Sequence, residues 1–207
     1  MLKLHHFPGT RSSKVLWAAL EAGAPVEPSA VMLLKGEHKG PEHMKRHPHG
    51  KVPAFEDTEH GVAIIESGAI CQYLAEHYDP EGKLSPPSGQ GARASWLMWC
   101  FYGNATLEVP MISAYLQNFF VAEDKRDKEM IEEKRAWFLK EVADFVAAGL
   151  GEGPYLCGEK FSLADVSLGY SLDLAHKLGW LENHASLAKY VERLTVRPAF
   201  VQAFSRE

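Results

Sequence analysis

HPHGKVPAFED, residues 47–57, and IIESGAICQYL, residues 64–74, encode a strand opened by Val-Pro and a helix opened by Glu-Ser. Pro53 removes an N–H donor where the strand begins. A cis Val52-Pro53 bond there would turn the Val52 N–H and C=O outward, free to pair with a peptide-like ligand. Ser67 stands where an N-cap belongs. It follows the apolar strand Val62 to Ile65 and precedes a helix whose Ile70, Leu74 and Tyr78 recur at four-residue spacing. Such a helix start attracts a carboxylate. The two devices together suit a ligand with a free carboxylate at one end and a short extended backbone in its middle.

Working outward, Leu2 to Phe7 reads as a short strand, the turn Pro8 to Thr10 ends it, and Ser13 to Ala22 has helical periodicity closed by Gly23. A second strand is expected over Pro28 to Leu33, followed by an irregular or helical basic segment. The antiparallel pair Ala54 to Glu56 and Ala63 to Ile65, then the Ser67 helix, complete a β-α-β-α-β-β-α series, thioredoxin-like in outline. This α/β part is expected to span residues 1–79. DPEGKLSPPSGQG, dense in Pro, Gly and Ser, reads as a linker covering residues 80–91. From residue 92 to 207 the patterns are helical, with a very apolar stretch, Trp96 to Phe120, and an amphipathic one, Lys125 to Ala148. FSLADV carries a Ser162-x-x-Asp165 capping box, which nucleates a central helix and makes Asp165 a folding residue.

A chain of 207 residues with 46% hydrophobic content can bury one or two substantial cores. Its 22 Lys and Arg against 27 Asp and Glu give a net charge of −5, which argues against nonspecific nucleic-acid or anionic-membrane binding. The acidity is uneven. Between Lys35 and Lys51 five basic residues and four histidines face only Glu37 and Glu42, a local rim suited to a small anionic ligand. Cys71, Cys100 and Cys157 are odd in number and set in apolar surroundings, so neither a disulfide framework nor a metal motif is expected, and the reducing cytoplasm is the natural compartment. MLKLHHFPG lacks the apolar core of a signal peptide, and no window approaches the roughly 20 apolar residues of a membrane span.

The order of these elements, with Lys51-Val52-Pro53, Glu66-Ser67 and FSLADVSL (residues 161–168), closely resembles the glutathione S-transferase superfamily over essentially the whole chain, and a theta-like or related bacterial, hydroxyl-using type in particular. The resemblance implies glutathione as co-substrate, a thioredoxin-like domain followed by an all-helical domain, and a homodimer. It implies that Val52 pairs its backbone with the cysteinyl unit of glutathione beside Pro53. Lys51 and His38 lie near the glycyl carboxylate, as in relatives with a similar KGEH segment, and Glu66 and Ser67 hold the γ-glutamyl amino and carboxylate groups. In superfamily members that use a hydroxyl to stabilise the thiolate, it lies in the turn after the first strand. Here that turn offers Thr10 and Ser12 on an equal footing, with Ser13 third. No cysteine or tyrosine occupies the turn, which disfavours the branches that use them.

A thiol of pKa near 8.5 is only a few per cent ionised at neutral pH, so an enzyme using it as nucleophile must favour the anion. One hydroxyl donor contributes roughly 1.5–3 kcal/mol, equivalent to about one to two pKa units. The second reactant, a small apolar electrophile, is expected between Phe7 in the first turn and Phe101 and Tyr102 in the helical part. The expected activity is transfer of the glutathione thiolate to that electrophile, a detoxification chemistry; peroxidase, dehalogenase and isomerase reactions share the first site, and a noncatalytic glutathione-binding module is the alternative. His43, His47 and His49 are read as surface histidines rather than metal ligands, because Pro48 breaks any shared helix face. PGTRSS lacks a phosphate-loop ending and no GxGxxG occurs, so no nucleotide is expected.

Overall fold

The computed structural model describes residues 1–205, in two compact units: Met1–Ser85 with the stretch from Arg197 onward, and Pro86–Val196. The first unit opens with β1 (Leu2–His6), α1 (Arg11–Ala22) and β2 (Val26–Ala30). Two single 3-10 turns, Leu33–Lys35 and Glu37–Lys39, lead to α2 (Pro41–Arg46), then β3 (Ala54–Asp57), β4 (Val62–Ile65) and α3 (Ser67–His77). The strands form one mixed sheet in the order β2-β1-β3-β4, with β1 parallel to β2 and antiparallel to β3, and β3 antiparallel to β4. This is the thioredoxin-like arrangement expected from the sequence.

The second strand lies earlier than expected. Val31 makes the last bond to β1, donating to the His6 carbonyl at 2.8 Å, and the strand goes no further because Leu33–Lys35 turn on themselves, closed by Gly36. Pro28 is tolerated within β2 because that strand is an edge. Leu2, Leu4 and His6 share one face of β1 by its two-residue period, and all three are buried. Helix α1 begins at Thr10, whose hydroxyl accepts from the Ser12 N–H, and ends at Gly23 in the left-handed region with φ 72. Every residue from Ser12 to Ala19 is buried. The last helix, α10 (Pro198–Phe204), accounts for part of that burial: Phe200 stacks edge-on to Trp17 at 5.0 Å, and Arg197 grips Glu21 with two bonds of 2.6 and 2.7 Å.

The second unit is helical: α4 (Ala92–Phe101), α5 (Glu108–Phe120), α6 (Lys128–Trp137), α7 (Ala143–Leu150), α8 (Leu163–Lys177) and α9 (Ala185–Thr195). The two long helical stretches expected from the sequence are each interrupted by a wide π turn, Tyr102–Leu107 and Phe138–Val142. The first of these lies against α8, and Gly103 makes that possible, since a Cβ there would sit 2.7 Å from the backbone of Ser167. Helix α8 is the core of this unit, buried without interruption from Leu163 to Ala175. Its expected capping box is present. Asp165 accepts from the Ser162 N–H at 2.8 Å and hydroxyl at 3.1 Å, from the Leu156 N–H at 2.9 Å and from the Tyr190 hydroxyl at 2.7 Å. Asp165 is thus the folding residue the sequence suggested.

Candidate active site

The β-ladders bring three loops to one end of the sheet. His5 pairs with Ala54 and Ala54 with Ile65, so the next step along each ladder sets His6 beside Pro53 and Pro53 beside Glu66. The turn after β1, the residues before β3 and the start of α3 therefore meet within one or two strand spacings of about 5 Å. The Val52-Pro53 bond is cis. Among the described residues the Val52 N–H and C=O enter neither a ladder nor a turn hydrogen bond. That leaves one donor and one acceptor available to an extended ligand, in the sense expected from the sequence.

The first turn holds a closed hydroxyl network. Ser12 is fully buried, and its Oγ accepts from the Phe7 N–H at 3.0 Å while standing 2.8 Å from His6 Nδ1, 2.8 Å from Thr10 Oγ1 and 3.1 Å from the Phe7 carbonyl. Ser13 is buried as well, accepting from the Gly9 N–H at 2.9 Å. Thr10 is half-buried and donates to the Phe7 carbonyl at 2.8 Å. Of the three residues it alone is only half-buried, and it stands at the N-cap of a well-formed helix, where the dipole favours an anion. His6 was not anticipated as part of this site. The available signal was the alternation of β1, which turns His6 to the face carrying Leu2 and Leu4.

The basic loop is more buried than the sequence suggested. His43 and His47 are each 5% exposed, which corrects the reading of both as surface histidines; only His49 is exposed. Their rings pack on one another and, through His43, on His5 of β1 instead of facing solvent. The His43 ring meets His5 edge-on at 6.0 Å and stacks over His47 at 6.4 Å, and its Nε2 lies 2.7 Å from the Lys51 carbonyl. Burial, with His43 and His49 adding to it, pushes the His47 pKa down, and burial likewise lowers those of His5 and His6. His5 in turn holds Glu56 at 2.7 Å, and that bond, first among its causes, pulls the Glu56 pKa down. Among the described residues no group of three or more His, Cys, Asp or Glu is arranged to hold a metal ion.

His38 is half-buried, and its Nδ1 is enclosed without a hydrogen-bond partner among the described residues. Its segment is clamped to residues 47–50: Lys39 donates to the His49 carbonyl at 2.9 Å, and a Cβ on Gly50, which has φ 55, would stand 2.6 Å from the His38 carbonyl. Lys51 is exposed and Pro53 buried. Glu66, not Ser67, occupies the N-cap position of α3, with an unusual φ of 74 for a non-glycine residue and an exposed side chain. Ser67 is the first helical residue and is buried. The correction has a simple cause, since β4 runs to Ile65 and leaves a single residue to make the turn into the helix.

Phe7 is half-buried in the first unit. In the second unit Phe101 is 67% exposed at the end of α4, and Tyr102 opens the π turn with its ring 5.8 Å from Trp99 and 5.2 Å from Phe145. Burial and then the charge of Glu141 raise the Tyr102 pKa. Phe101 and Tyr102 thus present an aromatic face at the turn, whereas Trp96 and Trp99 are core.

Residues 1–76 match the family profile described as glutathione S-transferase, N-terminal domain, and residues 107–204 the one described as glutathione S-transferase, C-terminal domain. The chain is 29% identical to glutathione S-transferase F14 of Arabidopsis thaliana, over 97% of its own length and 82% of that protein. It is 35% identical to the glutathione S-transferase-like protein OpS6 of Beauveria bassiana, over 80% of its length and 75% of that protein. Among solved structures it is similar to the glutathione transferase URE2P6 of Phanerochaete chrysosporium in complex with oxidized glutathione, with a TM-score of 0.85 and 28% identity, covering 98% of this chain and 94% of that one. It is similar also to glutathione transferase F7 of Populus trichocarpa, with a TM-score of 0.86 and 26% identity over 99% and 100% of the two chains.

Proposed function

The chain belongs to the glutathione S-transferase family, and on that premise we propose that it binds glutathione at the loop end of the sheet and directs the thiolate at an apolar electrophile. The Val52 backbone pairs with the cysteinyl unit. Lys51 and His38 attract the glycyl carboxylate, while Glu66 takes the γ-glutamyl ammonium and Ser67 with the start of α3 takes its carboxylate. Thr10 donates to the sulfur. The observation that carries this choice is the contrast in burial: the Ser12 oxygen is enclosed by four protein partners, whereas Thr10 is half-buried and its proton rests on the Phe7 carbonyl, from which it can turn to an arriving sulfur. A bond to a charged acceptor contributes roughly 1.5–3 kcal/mol, and the dipole of α1 acts in the same sense. Positioning of the two reactants supplies the rest of the acceleration.

A homodimer is supported by the exposed apolar side chains of α5, Val109, Leu116, Phe119 and Phe120. A cytoplasmic setting is supported by three cysteines that form no disulfide among the described residues. No helix among the described residues is long and apolar enough to cross a membrane. The test is conjugation of glutathione with an activated aryl halide. Turnover that falls at least tenfold in Thr10→Val, with affinity for S-methylglutathione kept, supports the proposal. Glutathione binding without turnover on any halide or peroxide supports a noncatalytic binding module instead.

A further inference from the structure

Each hydroxyl of the first turn owns a single proton, and this makes the direction of the His6, Ser12, Thr10 chain a question of counting. His6 Nδ1 and Ser12 Oγ are 2.8 Å apart, and Ser12 Oγ and Thr10 Oγ1 are again 2.8 Å apart. Oxygen atoms this close need a proton between them. If His6 Nδ1 accepts, the Ser12 proton is taken by the ring, and the Thr10 proton must fill the contact with Ser12. None then remains for the 2.8 Å contact between Thr10 Oγ1 and the Phe7 carbonyl, nor for a sulfur in its place. If His6 Nδ1 donates, the Ser12 oxygen receives two protons, one from the ring and one from the Phe7 N–H at 3.0 Å, and gives its own to Thr10. Thr10 Oγ1 then accepts from the Ser12 hydroxyl and from the Ser12 N–H at 3.3 Å, so both its lone pairs are occupied and its proton lies on the Phe7 carbonyl at 2.8 Å, from which it can turn to a sulfur.

We propose that His6 is a positioning residue of the reaction: donating from Nδ1 to Ser12, it orients a hydroxyl chain that keeps the Thr10 proton off Ser12 and free to turn from the Phe7 carbonyl to the glutathione sulfur. This rests on the reading of Thr10 as the thiolate donor. The ring is held for the task, being 7% exposed on the face of β1 that carries Leu2 and Leu4. A histidine is suited to it because its tautomer is set by surroundings rather than fixed by composition. Chains of this kind also polarise along their length, each donor strengthening the next. Ser12 acts in the chain without touching the sulfur.

The test measures the pKa of the bound glutathione thiol by ultraviolet difference titration, with S-methylglutathione affinity as a control that lacks the thiol. His6→Leu is expected to raise the bound-thiol pKa by about one unit, as loss of an oriented donor would, and to lower kcat/KM about tenfold at neutral pH while leaving S-methylglutathione affinity unchanged. His6→Asn, whose amide can donate from near the Nδ1 position, is expected to recover most of the effect. A wild-type thiol pKa in His6→Leu overturns the inference. Isotope-edited NMR of the wild-type imidazole provides a check independent of any variant: a proton on Nδ1 is expected, and a neutral ring carrying its proton on Nε2 overturns it. If wild-type protein binds glutathione without lowering its thiol pKa, the failure belongs to the Thr10 reading itself.

Discussion

His43 Nε2 lies 2.7 Å from the carbonyl oxygen of Lys51, so a buried ring on α2 holds the main chain at the entry to the Val52-Pro53 segment. The bond ties the basic loop to the residues that offer a free backbone donor and acceptor. Removing the ring costs about 1–3 kcal/mol, the range for leaving a part-buried carbonyl without its partner. His43→Ala should lower Tm and weaken glutathione binding about tenfold, measured by thermal unfolding and titration calorimetry. His43→Gln, which keeps a donor of similar reach, should recover part of both.

Glu66 makes a stability and function trade visible. Its φ of 74 is a conformation that costs a non-glycine residue about 1–3 kcal/mol. Glycine adopts it freely, although it loses more chain entropy on folding. Glu66→Gly should therefore leave Tm unchanged or raised, while glutathione affinity falls tenfold or more for want of the carboxylate. A purely structural Glu66 would give no change in affinity.

The buried Asp57 carboxylate joins the β3–β4 turn to α3. It accepts from Tyr73 at 2.7 Å, from the Tyr78 hydroxyl, and from the His60 ring at 2.8 Å and N–H at 3.3 Å. Loss of water raises its pKa, but the Tyr78, Tyr73 and His60 bonds outweigh that and hold it well below the usual range. A depressed folded pKa gives stability that is complete above the unfolded value of about 3.9 and is lost as pH falls further toward the folded one. Asp57→Asn should cost about 2 kcal/mol at pH 7, and should flatten the fall in stability below about pH 4, read from urea unfolding at stepped pH.

Asp165 is a different case, inside the helical unit. Four donors converge on it, and burial nonetheless pushes its carboxyl pKa up. Asp165→Ala leaves the Leu156 and Ser162 amides and the Tyr190 hydroxyl without an acceptor, and should destabilise the protein by about 3 kcal/mol or more. Activity per folded molecule should be unchanged. Denaturant titration with activity normalised to the folded fraction separates the two effects.

The candidate site's local geometry was legible in the sequence where backbone chemistry announces itself. Pro53 after Val52 and Glu66-Ser67 after an apolar strand are local patterns, as is the capping box at Ser162, and strand pairing then carried the first two to the same sheet end. What the sequence did not give is what depends on tertiary burial. His43 and His47 lie in a basic, polar segment, and only the packing of their rings on each other and on His5 reveals them as buried. His6 looked like part of a strand, and its role depends on a contact with Ser12 across the turn. Thr10 and Ser12 could not be separated two residues apart, since their difference is exposure. The π turns at Tyr102 and Phe138 carry no local signal; the first lies where Gly103 lets the chain approach the Ser167 backbone of α8, a tertiary contact.

Titration of the glutathione thiol bound to wild type, Thr10→Val and Thr10→Ser decides whether a first-turn hydroxyl holds the thiolate. Wild type and Thr10→Ser should show a bound-thiol pKa about one to two units below 8.5, and Thr10→Val one close to 8.5. An unshifted wild-type thiol, or a Thr10→Val thiol that ionises as in wild type, would contradict the mechanism.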